Sequence, residues 1–203
     1  MDKNIQSYDD TVEEYYQNTK NLEAPEIKIR NKFLSQLPEG GLILDLACGP
    51  GRDIQEFIKR GFQTQGIDAS PNMIKKAKEI APDATYQIMD MRNLHLPEEK
   101  YDGIWYNGGL LAVEKKHTQK IIQDLYETLK PNGIFYLSVK QGKGEGYELD
   151  KRYNKEKYVA YYNKQELQNL LEAFEIIETF ETTLEGNYHQ HPWIQFLCRK
   201  STN

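Results

Sequence analysis

"LILDLACGPGRD", residues 42–53, decides the fold. Leu42, Ile43, Leu44 and Leu46 read as a buried strand that carries one acid, Asp45, and breaks at the turn Cys48-Gly49-Pro50-Gly51. A buried carboxylate is costly unless it is hydrogen-bonded. Two glycines just past a strand let the backbone pass close to another group. Together they point to a ligand held beyond the carboxyl end of this strand.

Working outward, apolar runs alternate with helical patterns. "RDIQEFIKRG" reads as a helix closed by Gly61, and "FQTQGID" as a second strand. "SPNMIKKAKEIAP" reads as a helix with Ser70 as N-cap and Pro71 in its first turn. "TYQIMD" and "YDGIWYN" are strands three and four. "KKHTQKIIQDLYETLKPNG" is an amphipathic helix on Ile121, Ile122, Leu125 and Leu129, with a turn at Lys130–Gly133 leading into strand five, "IFYLSVK". After the helix "NKQELQNLLEAF", the runs "EIIETFETTL" and "WIQFLCRK" can pair as a hairpin, which makes the last strand antiparallel. The pattern predicts a single α/β domain with right-handed crossovers and a mainly parallel sheet.

The 203 residues suit one domain with a full core. The net charge of −5, from 26 basic and 31 acidic residues, argues against a nucleic-acid partner. No apolar run approaches the roughly 18 residues that span a bilayer, and the first ten residues lack the apolar core of a signal peptide. Cys48 and Cys198 form no CxxC pair, which fits a reducing cytoplasm without disulfides or a zinc cluster. His189 and His191 share one side of a strand but have no evident third ligand, so no metal is expected.

Ligands of open α/β sheets sit beyond the carboxyl ends of the strands. A dinucleotide fingerprint needs a third glycine where Ile54 stands, which weighs against a nicotinamide cofactor. Asp68 ends strand two and can accept both hydroxyls of a ribose. Asp90-Met91 ends strand three, an acid and an apolar neighbour suited to an amine and a flat ring such as adenine.

"LDLACGPG", "GIDAS", "MDMRNLHLPEEKYDGIWYNGGLL" and "LKPNGIFYLSVK" resemble, in order, the motifs of the class I S-adenosylmethionine-dependent methyltransferases, over about residues 8–200. The resemblance implies a Rossmann-like, seven-stranded sheet of order 3-2-1-4-5-7-6 with an antiparallel last strand. It also implies S-adenosylmethionine as cofactor and S-adenosylhomocysteine as product. Asp45 would orient the glycine turn or meet the cofactor amine through water, while Ala47, Gly49 and Gly51 line its methionine part. Asp68 would bind the ribose, with Ala69 and Met73 beside it. Asp90 would take the adenine amine, Met91 would pack on the ring, and Asn107 would offer its carbonyl to the cofactor's amino group. Tyr15 and Thr19 would reach the cofactor from an N-terminal lid. Cys48, Arg52 and Asp53 read as structural, and no histidine follows the leucines of "NGGLLAV", so no base is assigned.

The expected layout is an N-terminal lid and helix (1–40), a cofactor-binding core (41–139), a substrate loop (140–162) and a C-terminal helix and hairpin (163–203). Gly142, Gly144 and Gly146 predict a mobile loop in which Lys140 and Arg152, beside Tyr161 and Tyr162, hold an anionic or aromatic acceptor. A "SxKxGxGE"-like turn followed by arginine is similar to that of tellurite-resistance-type methyltransferases. In-line methyl transfer demands alignment and water exclusion more than a base. The expected protein is a cytoplasmic enzyme, monomer or homodimer, that methylates a small metabolite. A nucleic-acid or protein methyltransferase on the same core, or a non-catalytic cofactor-binding regulator, is the alternative.

Overall fold

Five strands run parallel: β1 (Leu42–Leu46), β2 (Gln63–Asp68), β3 (Thr85–Ile88), β4 (Tyr101–Asn107) and β5 (Leu129–Lys140). A further pair, β6 (Glu145–Asp150) and β7 (Lys155–Ala160), stands apart as a two-stranded sheet. The chain closes with β8 (Phe174–Thr182) and β9 (Trp193–Lys200), and β9 inserts antiparallel between β5 and β8. The seven-stranded order is therefore β3-β2-β1-β4-β5-β9-β8, the order expected above. This is a computed structural model, and it describes residues 2–21, 24–182 and 192–201.

Helices cover both faces. Ile29 and Phe33 from α3 (Ala24–Leu34) and Phe57 from α4 (Arg52–Lys59) pack on one face around Trp105, whose ring stacks on Tyr136 at 3.8 Å. Ile121, Ile122 and Leu125 of α6 (Thr118–Thr128) and Leu167 of α7 (Lys164–Leu170) fill the other. Between β2 and β3, α5 (Pro71–Ile80) starts at Ser70, whose hydroxyl accepts from the Met73 N–H. Two short helices, α1 (Lys3–Asp9) and α2 (Val12–Thr19), precede α3. No described helix is long and apolar enough to cross a membrane.

Three local expectations are corrected. The α6 helix stops at Thr128, because fully buried Leu129 already pairs with Tyr101 in β5; the expected turn is a bulge inside that strand, with Asn132 at φ +62°. Residues 140–162 are not a loop but the β6–β7 hairpin. Tyr147 faces Tyr158 across it, rings 5.4 Å apart, and such cross-strand aromatic pairs outweigh the nearby glycines. The α7 helix ends at Leu170, short of the predicted span, and starts with a capping box formed by Asn163 and Glu166.

Candidate active site

The glycine turn puts three unusual conformations at the end of β1 and the start of α4. Ala47 takes φ +58°, Gly49 +51° and Gly51 +85°, and Gly51 is the N-cap of α4. A non-glycine residue with positive φ, such as Ala47, is held there only by its surroundings and tends to mark a site. Around the turn lies an open cleft with about 360 Å³ of empty space, lined by Tyr15, Thr19, Asp45, Ala47, Gly49 and Asn107 among others.

Asp45 is 3% exposed, and its carboxylate makes no hydrogen bond among the described residues. Burial, with Asp53 and Asp68 nearby, pushes it well above the usual carboxylate range. A buried acid opening on a cleft without a donor is a partner for a cationic ligand. Beside it, Asp68 accepts from the Gly49 N–H and the Ser70 N–H, each at 2.9 Å. These backbone donors hold the turn, and the carboxylate's remaining acceptor capacity is open to a diol.

Asp90 is already engaged. Burial works against its charge, but the Arg92 guanidinium holds its carboxyl below the usual range, and Arg92 also reaches Asp2 at 2.8 Å. Met91 packs against the main core and its sulfur accepts from the Tyr106 hydroxyl. Asn107 accepts from the Ser138 hydroxyl. Ala69 follows Asp68 directly and sends its N–H to that carboxylate. Met73 is only 2% exposed and is a core residue, not part of the cleft lining, because its helix is covered by the N-terminal segment.

The two expected lids form one roof. Asn4 of α1 donates to the Ala112 carbonyl and accepts from the Tyr158 N–H of β7, each at 3.0 Å. Asp9 accepts from the Ser70 hydroxyl and the Asn72 N–H, which clamps α1 onto α5. From α2, Tyr15 stacks on Tyr153 at 6.1 Å, and Thr19 donates to the Tyr15 carbonyl.

The acceptor residues are redistributed. Arg152 spends its Nε and one Nη2 donor on Asp150, at 2.9 and 2.7 Å. Tyr162 is 3% exposed and belongs to the core, and the Tyr161 hydroxyl donates to Glu148. Lys140 is held at the hairpin base, its ammonium destabilised by burial and by Arg152.

Sequence reasoning missed Cys48, Arg52 and Asp53 as cleft residues. Arg52 donates to the Thr19 carbonyl and to Asp53, which also accepts from the Trp105 indole at 3.1 Å. The signal available was their position in the first turn after the glycines. Lys157 was missed too, hidden in an ordinary charged run. His189 and His191 lie outside the described residues, and among those described no group of three His, Cys, Asp or Glu could hold a metal.

Residues 43–133 match the family described as "Methyltransferase domain". This sheet order and glycine turn give the chain the fold of the class I S-adenosylmethionine-dependent methyltransferases. It is similar to a 2-methyl-6-phytyl-1,4-hydroquinone methyltransferase of Synechocystis, 28% identical over 75% of this chain and 48% of that one. In fold it resembles a S-adenosylmethionine-dependent methyltransferase of Methanosarcina mazei, with TM-score 0.76, 20% identity and coverage of 85% and 98% of the two chains. The Burkholderia thailandensis 1,6-didemethyltoxoflavin-N1-methyltransferase, solved with that compound and S-adenosylhomocysteine, gives TM-score 0.73 at 18% identity, covering 98% of this chain and 88% of that one. The chain spans less than half the length of the curated relatives it matches.

Proposed function

We propose that this chain transfers a methyl group from S-adenosylmethionine to a small-molecule acceptor. The observation that carries the reading is Asp45, a buried carboxylate without a hydrogen bond, facing a cleft walled by the glycine turn. The cofactor's amine and sulfonium are the cations such a site lacks. The donor set therefore fits the group: Asp45 for the amine, the turn at Ala47–Gly51 for the methionine chain, Asp68 for the ribose and Asn107 for the amino group. At the adenine end, Met91 would flank the ring, and Asp90 could meet its amine with the face that Arg92 leaves open.

When bound, S-adenosylmethionine supplies an electrophilic methyl on positively charged sulfur. The chain's own task is alignment and drying. Tyr15 and Thr19 close the cleft from the roof, and excluding water strengthens every polar contact beneath it. Orientation of this kind can supply roughly 7–11 kcal/mol of a barrier. A small acceptor is supported by the compounds named for the two relatives above and by the narrow, roofed cleft. Residues 140–162 are the acceptor-facing segment in this reading. A cytoplasmic location is supported by two free, buried cysteines, and the assembly is taken as a monomer or homodimer.

The test is incubation of the protein and methyl-labelled cofactor with a metabolite extract and, separately, with nucleic acid and protein. Label in the metabolite fraction is expected. Label confined to macromolecules would replace this reading, and none at all would favour a binding protein.

A further inference from the structure

Lys157 points inward from β7 and is 3% exposed. Its ammonium lies 3.9 Å from the ring centroid of Tyr153, 4.2 Å from that of Tyr8 and 5.7 Å from that of Tyr15. The closest carboxylate oxygen, on Asp150, is 3.8 Å away, beyond hydrogen-bond reach. Both oxygens of Asp150 already accept from Arg152. Among the described residues, then, Lys157 donates no hydrogen bond. Aromatic faces attract its charge, but its three N–H donors remain unspent, and an acceptor brought to them would gain charge-assisted hydrogen bonds.

Lys140 stands in the same condition. It is close enough to Lys157 to disfavour its charge, and its ammonium likewise has no hydrogen bond among the described residues. The acids nearby are spoken for: Asp150 by Arg152, and Glu148 by the Tyr161 hydroxyl. Two cations with unspent donors thus lie beside the tyrosine rings around Lys157, one of which, Tyr15, also lines the cofactor cleft. A cationic ligand would be repelled there, since the ring cage already holds an ammonium.

We propose that Lys157 and Lys140 form an oxyanion-binding subsite beside the cleft, so that the methyl acceptor is a small molecule bearing an oxyanion. This rests on the methyl-transfer reading and names its substrate class; it also moves the anion-holding role from Arg152 to Lys157. The oxyanion would accept the unspent N–H donors while Tyr8 and Tyr153 flank the rest of the molecule.

The test is calorimetry on the full chain saturated with S-adenosylhomocysteine, with benzoate and inorganic phosphate as anionic probes and benzylamine as the cationic counterpart. At least one anion should bind, benzylamine should not, and K157Q should weaken the anion at least roughly tenfold while K157R retains part of it. The dissociation constant for S-adenosylhomocysteine should stay within about twofold throughout. Undiminished anion binding in K157Q, preference for benzylamine, or no heat from either anion would overturn the proposal. If K157Q does not fold, K140Q takes its place, and unchanged anion binding there overturns it equally. Should S-adenosylhomocysteine itself fail to bind while an anion binds through Lys157, the methyl-transfer reading falls and the anion subsite stands.

Discussion

Tyr15 lies across the glycine turn: a Cβ built on Gly49 would meet its Cε1 at 3.8 Å. The roof thus touches the cleft floor through this ring and through the Thr19 carbonyl, which accepts from Arg52; both belong to α2, an element that contributes nothing to the apolar core.

That separation predicts how truncation behaves. The buried apolar residues begin at Ile29, so deleting residues 1–20 should leave a folded domain whose melting temperature shifts little. Turnover should fall at least about a hundredfold as alignment and water exclusion are lost. A thermal melt alongside a methyl-transfer assay checks both halves, and full activity in the truncated chain would make the roof a bystander.

Asp68 does two jobs, bracing the Gly49 N–H and offering its remaining lone pairs. Asp68→Ala should cost about 2–4 kcal/mol of S-adenosylhomocysteine binding, the scale of two charge-assisted hydrogen bonds. Calorimetry on a variant shown folded by circular dichroism reads the loss; wild-type affinity would place the ribose elsewhere.

Strand positions and the cleft floor were legible in the sequence because each rests on local signals, while the strand order came with the family resemblance. Ser70 caps, Gly51 turns and Asp68 ends a buried run, and all three effects act within a few residues. What stayed hidden depends on the folded geometry around each residue. Arg152 looked like a free cation until Asp150 closed on it across the hairpin turn. Tyr162 looked like a wall until the core enclosed it. Lys157 is caged partly by Tyr8 and Tyr15, from helices far away in the chain. Glycines suggested a loop at 140–162, and cross-strand pairing that no short window displays made it a hairpin.

Asp45 predicts a proton linkage. Burial raises its folded-state pKa, so the free protein holds a proton there that the unfolded chain has already lost. Stability from this group is present at low pH and declines as pH rises through the folded value. A bound ammonium favours the carboxylate, so ligand binding should release a proton at mildly acidic pH and weaken as pH falls. Titrations in two buffers of different ionisation enthalpy measure the release, which Asp45→Asn should abolish.

Gly51 and Gly61 share a left-handed conformation, at φ +85° and +86°, but not an environment. A Cβ on Gly51 would sit 3.0 Å from the Cα of Ala77, whereas one on Gly61 would meet nothing within 4 Å. Gly61→Ala should cost about 1–2 kcal/mol, the conformational penalty alone, and Gly51→Ala about 2–4 kcal/mol, because α5 must also shift. Denaturant unfolding of both separates the terms; equal losses would mean that the contact with α5 is absorbed without strain.

The most direct measurement is a calorimetric titration of the full chain with S-adenosylhomocysteine, with NAD as the control. The account predicts a single site of micromolar-range affinity, about −8 kcal/mol, and no heat from NAD. No heat and no thermal stabilisation with S-adenosylhomocysteine, together with clear binding of NAD, would contradict it.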